Sequence, residues 1–158
     1  MIQVKNGDIL RAFEDGCHFI CHQVNCRGKM NAGLAKSIAE RWPEVKRDYE
    51  ELCLEQKAED LLGTYLITPL DDHSVISIFG QLNYGRNSDV CYTSYEALNC
   101  AFQTMQRAFS WWEFYPKIAF PYGMGCGLGG GDWNIVYQMI VDRFHDYDIV
   151  IYRKENTL

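Results

Sequence analysis

The chain has 158 residues, 47% of them hydrophobic and 23% charged, with a formal net charge of −6. That length suits one domain spanning 1–158 and leaves no room for two, and the balance is that of a compact globule. The acidic excess, with no run of lysines or arginines, disfavours nucleic-acid binding, which draws its strength from cations that displace phosphate counterions.

No apolar run reaches the ~18 residues of a membrane span, and Met1–Lys5 has neither the basic nor the apolar part of a signal peptide. A cytoplasmic monomer with no membrane contact is the expectation.

In chain order, a strand is expected over Ile2–Lys5, followed by Asn6-Gly7-Asp8-Ile9, a turn in which Asp8 can cap a short helix. A second strand is expected over Cys17–Val24. Its Cys17, His18, Cys21 and His22, with Cys26 beyond, are the densest metal-type cluster in a chain with seven cysteines. On a strand, Cys17 and Cys21 face one way and His18 and His22 the other, so four ligands cannot converge. Buried free cysteines are the reading, with no disulfide, metal or cofactor.

Next comes a polar loop, Asn25 to Gly33, where Asn25 offers an amide to sugar hydroxyls or simply forms a turn. The small pair Ala32-Gly33 would let a sugar or phosphate reach the start of the following helix, with Asn31 as a plain N-cap in the alternative. Ala35, Ile38, Ala39 and Trp42 follow helical spacing, and Pro43 is expected to end that helix.

Strands over Gly63–Thr68 and Val75–Phe79 precede a polar stretch, Gln81–Asp89. Either it is a solvated connection or it closes over a ligand, with Arg86 pairing to phosphate. Thr93-Ser94-Tyr95-Glu96 fits a capping box in which Thr93 bonds forward and Glu96 reaches back. It opens a helical stripe of Tyr95, Leu98, Phe102, Met105, Phe109 and Trp112.

A fifth strand, Lys117–Pro121, runs into Tyr122–Gly131, and a helical stripe of Trp133, Val136, Tyr137, Ile140, Val141 and Phe144 follows. The last strand is expected over Asp148–Tyr152. Six of the thirteen glycines fall within residues 123–131. Glycines let consecutive amides approach one anion, and a helix start adds free N–H groups, so this junction is suited to phosphate. A flexible surface turn would account for one or two glycines only.

Gly125-x-Gly127-x-x-Gly130 matches the dinucleotide fingerprint, but a single strand follows it, too little for a nicotinamide-binding domain. No Gly-Lys-Ser/Thr follows, which excludes a nucleotide-hydrolysing P-loop. Alternating elements predict a three-layer α/β/α fold around a central mixed sheet of about six strands, with the ligand beyond their carboxyl ends.

Together, Gly7-Asp8-Ile9, Asn25 with Gly28–Leu34, and Gly123–Asp132 resemble the macrodomain family of ADP-ribose binders, in that order and over nearly the whole chain. The resemblance implies that Asp8, beside Ile9, holds the adenine amino group. It also implies that Asn25 contacts the distal ribose in the loop carrying Ala32, Gly33 and Leu34, and that Tyr152 stacks on adenine. The diphosphate would lie on the loop of Gly123, Gly125, Cys126, Gly127, Leu128, Gly129 and Gly130, held by backbone amides.

Two branches of the family are similar. The yeast-type ADP-ribose-1″-phosphate phosphatases share His22 three residues before Asn25, and a stretch like Trp42-Pro43, Asp48-Tyr49 and Leu52-Cys53. The terminal ADP-ribose glycohydrolases use a lysine and an aspartate where this chain has Gln81 and Gly129.

The resemblance therefore implies hydrolysis of ADP-ribose-1″-phosphate to ADP-ribose and phosphate, with His22 as general acid or base and Asp132 orienting a water. The alternatives are a non-catalytic reader of free or protein-attached ADP-ribose, and a hydrolase removing ADP-ribose from modified protein or nucleic acid.

Overall fold

The computed structural model describes residues 1–155. Six strands form one sheet: β1 (Ile2–Asn6), β2 (Phe19–Asn25), β3 (Tyr65–Pro69), β4 (Ser74–Gln81), β5 (Lys117–Pro121) and β6 (Asp148–Arg153). Their order is β1-β6-β5-β2-β4-β3. All pairings are parallel except that of the edge strand β3 with β4, so the sheet is mixed.

Alternate residues of the central strands enter two cores. Ile20 and Val24 of β2 and Val75 and Phe79 of β4 pack against α1 (Gly33–Arg41), α2 (Pro43–Glu55) and α3 (Ala58–Leu61). Cys21, Ile76 and Ile78 pack on the other face against α4 (Tyr95–Trp111) and α5 (Trp133–Phe144). Strands covered on both faces read as continuous apolar runs, which is why the central strands β2, β4, β5 and β6 were legible.

Four local readings change. β2 begins at Phe19, so Cys17 lies before it and packs with the α1–α2 core, while Cys21 enters the other. Pro43 starts α2 instead of only ending α1; at a first helical position its missing N–H costs nothing. α2 carries seven charged residues among its thirteen, and its apolar stripe is too thin to announce a helix.

Ser94, not Thr93, caps α4, accepting from Ala97 N at 3.1 Å. Asn31 does not cap α1; Ala32 stands there without a side-chain cap.

The connections place a crevice. After β2 the chain turns to the α1 face, and after the adjacent β5 it turns to the α5 face. Neighbouring parallel strands that depart to opposite faces leave a gap beyond their carboxyl ends, where ligands bind in open α/β sheets.

Candidate functional site

A cavity of about 680 Å³ fills that gap, walled by the loops after β2, β4 and β5. On the β5 side the glycine loop is tied into the protein through its carbonyls. Cys126 N donates to Gly123 O at 2.9 Å, and Gly130 N donates to Gly127 O at 3.0 Å. Gly125 O accepts from Gly131 N at 2.9 Å and from Thr93 Oγ1 at 2.6 Å. Gly129 O accepts from Tyr92 N at 2.7 Å and Thr93 N at 3.0 Å.

Among the described residues, no hydrogen bond uses the N–H groups of Gly127, Leu128 and Gly129, and all three residues line the cavity. The carbonyls of Gly127 and Gly129 are engaged, while these three successive amides are free.

Glycine is required at Gly125, Gly129 and Gly130, the last at φ +75° with a Cβ that would sit 2.7 Å from Val90 O. A Cβ on Gly125, at φ +75°, would sit 2.6 Å from Gln23 Oε1. One on Gly129 would sit 2.6 Å from Gly125 O. At Gly127 a Cβ meets nothing within 4 Å, so the protein itself leaves room there.

The opposite wall is shaped by side chains. Asn25 Oδ1 accepts from Arg27 N at 2.9 Å, and Nδ2 donates to Lys29 O at 2.8 Å. Buried Tyr49 donates to Asn25 O at 2.6 Å and contacts Oδ1 at 2.9 Å. Asn25 lines the cavity, but its amide is largely engaged in shaping its own loop, with one N–H left over. Ala32, Gly33 and Leu34 line the cavity at the uncapped start of α1, so its positive end is open to the ligand.

His22 and Gln23 form part of the floor. The His22 Nε2 lies 2.8 Å from Ser77 Oγ, and Nδ1 is buried without a partner among the described residues. Burial pushes the imidazole down to about 3, so it is neutral at physiological pH. Gln23 Nε2 donates to Thr93 Oγ1 at 2.9 Å and to Gln81 Oε1 at 2.8 Å, which joins β2, β4 and the glycine loop.

The other sequence-derived residues fall outside the lining. Asp8 caps the 3-10 turn Ile9–Arg11, accepting from Leu10 N at 3.0 Å, and Ile9 is in the core. Tyr152 is buried and donates to Asp15 Oδ2 at 2.7 Å. That bond and Lys5 hold the Asp15 carboxyl below its usual range. Asp132 caps α5 through Asn134 N at 2.9 Å, while its own amide donates to Tyr95 Oη. Cys126 Sγ contacts Met124 O, and neither Cys126 nor Gly130 is among the residues lining the cavity.

Sequence reasoning did not single out Tyr122, Gln23 or Lys29, all of which line the cavity. Tyr122 is 41% exposed, with the Arg153 guanidinium 4.7 Å from its ring centre. Its place directly after a strand, at the head of the glycine loop, was the available signal. Among the described residues, no three His, Cys, Asp or Glu side chains converge as metal ligands, and no helix is long and apolar enough to cross a membrane.

No family model matches the chain. It is 29% identical over 159 residues to a DNA ADP-ribosyl glycohydrolase of Mycobacterium tuberculosis, covering 96% of this chain and 42% of that protein. Over 96 residues it is 29% identical to an ADP-ribose 1″-phosphate phosphatase of Saccharomyces cerevisiae, covering 56% of this chain and 53% of that one. The chain thus spans about half the length of the curated relatives it matches. Among solved structures, it matches the macrodomain of Mycobacterium tuberculosis DarG with a TM-score of 0.78 and 26% identity, over 96% of this chain and 97% of that one.

Proposed function

Since this chain is a macrodomain, we propose that it binds ADP-ribose and hydrolyses ADP-ribose-1″-phosphate to ADP-ribose and phosphate. The observation that carries the reading is the row of free amides at Gly127, Leu128 and Gly129 beside the uncapped start of α1. The first holds a diphosphate, and the second lies where the distal ribose would follow. The ring of Tyr122 stands at the cavity edge to cover the base. Similarity to a yeast phosphatase of this substrate supports the activity.

In the reaction, water attacks phosphorus and the bond to the ribose oxygen breaks. The backbone amides and helix start offset the phosphoryl charge. His22, on the cavity floor, is the group proposed to pass the proton of the attacking water to the leaving ribose oxygen. Its Nδ1 is buried and its ring depressed to about 3, so the bound phosphate dianion must open that nitrogen to the cavity and raise its basicity. Asp132 remains a candidate for orienting that water through the oxygen not used in capping. The reaction is read as cytoplasmic and needs no metal.

A non-catalytic reader is the second reading. It is favoured by one observation: no Asp or Glu side chain is among the residues lining the cavity. Removal of ADP-ribose from modified protein or nucleic acid is the third, supported by similarity to the DNA glycohydrolase.

Calorimetry with ADP-ribose, with NAD and AMP as controls, tests the site. Micromolar binding of ADP-ribose alone is the expected result, and absence of binding would sink the assignment. Phosphate release from ADP-ribose-1″-phosphate, lost in His22→Ala while ADP-ribose affinity is kept, separates the enzyme from the reader.

A further inference from the structure

Thr93 is not among the residues lining the cavity, yet it grips the glycine loop at two carbonyls. Its N–H donates to Gly129 O at 3.0 Å, and its hydroxyl donates to Gly125 O at 2.6 Å. The stretch between these two carbonyls carries the unused amides of Gly127, Leu128 and Gly129. The first bond is backbone and needs no particular side chain. The second depends on the Thr93 hydroxyl alone.

A hydroxyl has one proton to give, so its direction has to be set by its neighbours. Gln81 Nε2 donates to Asn83 O at 2.8 Å, and a carbonyl can only accept. That turns Gln81 Oε1 toward Gln23, whose Nε2 donates to it at 2.8 Å. The same nitrogen donates to Thr93 Oγ1 at 2.9 Å, which leaves the Thr93 proton for Gly125 O. All of these bonds run outward from the Gln23 nitrogen.

The opposite orientation of the Gln23 amide fails on both branches. Its oxygen would stand against Gln81 Oε1, and it would draw the Thr93 proton away from Gly125 O. The observed orientation holds even though Gln23 Oε1 is buried with no partner among the described residues. Gly80 and Gly125 make room for that oxygen, since a Cβ on either would sit 2.6 Å from it.

We propose that Gln23 and Thr93 are positioning residues of the anion site. Gln23 directs the Thr93 hydroxyl to Gly125 O, and that bond keeps the loop in the shape that leaves the three amides available to a diphosphate. The inference rests on the reading of this cavity as an ADP-ribose site. Glycines widen the range of shapes open to a loop, so each bond that fixes it lowers the cost of ordering it around a ligand.

The test is calorimetry with ADP-ribose on Thr93→Val, Thr93→Ser, Gln23→Met and the double variant Thr93→Val, Gln23→Met, alongside amide NMR spectra of the free proteins. Thr93→Val keeps the side-chain shape without the hydroxyl, and affinity should fall about tenfold. Thr93→Ser keeps the hydroxyl and should stay within about twofold of the wild type. Gln23→Met removes the directing nitrogen and should cost about threefold. The double variant should bind no worse than Thr93→Val, because both changes act through one bond. The amide resonances of Gly127, Leu128 and Gly129 should shift in Thr93→Val and Gln23→Met but not in Thr93→Ser.

Wild-type affinity in Thr93→Val would overturn the positioning role, and so would an equal loss in Thr93→Ser. Additive losses in the double variant would overturn it too, by showing that the two residues act separately. Absence of ADP-ribose binding by the wild type would overturn the underlying reading, and the positioning role with it.

Discussion

Across the cavity, the loop after β5 is held by its own carbonyls, whereas the loop after β2 is held by the side chains of Asn25 and Tyr49. Both present their ligand-facing groups beyond a parallel strand. The glycine loop is held through its carbonyls, by backbone amides and by the Thr93 hydroxyl, which leaves the amides of Gly127, Leu128 and Gly129 unused among the described residues. The β2 loop carries Arg27 and Lys29, so it needs an internal amide to set its turn. Holding a loop by its carbonyls leaves free amides, while holding it by its own side chains leaves room for chosen charges.

The largest effect should come from breaking the backbone-locked wall. Gly129→Val would push a Cβ to within 2.6 Å of Gly125 O, and backbone cannot move aside cheaply. Overpacking of this kind costs about 1–3 kcal/mol, and the displaced amides should lower ADP-ribose affinity by roughly a hundredfold. Gly127→Val is the sharper partner experiment. Its Cβ meets no protein atom within 4 Å, so thermal stability should be unchanged while calorimetry shows binding lost. Wild-type affinity in both variants would contradict the anion site.

On the other wall, Tyr49→Phe removes the hydroxyl that bonds Asn25 O and Oδ1. Buried acceptors left without a partner cost about 1–3 kcal/mol, which denaturant unfolding would register. ADP-ribose affinity should fall less than in Gly129→Val, because the amide row stays intact. The reverse order of the two effects would reverse the comparison.

The floor that joins the walls gives a smaller, pH-dependent effect. The His22 imidazole is depressed to about 3 in the folded protein, against 6.5 for the free side chain. Between these values the unfolded chain binds the proton and the folded one does not. The stability is therefore fully present above pH 6.5 and falls as the pH drops toward 3, by at most about 1.4 kcal/mol per pH unit. Thermal melts from neutral to acidic pH should show this slope, and His22→Gln should flatten it. An unchanged slope in that variant would show that other groups set it.

Much of the fold was legible because its signals are local. Central strands buried on both faces are continuous apolar runs, and α4 and α5 have clear stripes. α2 was not legible, since its charges hide a stripe that only Val45 and Tyr49 bury deeply. In the site, the glycine loop was visible from composition alone. The engaged state of Asn25 was not, because its partner Tyr49 lies twenty-four residues away. Thr93 was read as a local cap, yet its hydroxyl reaches Gly125, thirty-two residues on.

The amino-acid sequence by itself determined the order of the strands, the helices α1, α4 and α5 and the position of the glycine-rich loop, because hydrophobic period and glycine density act over a few residues. Only the tertiary structure decided which groups face the ligand. Bringing β5 beside β2 put Gly127, Leu128 and Gly129 into the cavity lining, with amides that no hydrogen bond uses among the described residues. It also put Lys29 and Arg86 in the cavity lining and kept Asp8, Asp132 and Tyr152 outside it. Those outcomes depend on contacts between residues far apart in the chain, which local patterns do not encode.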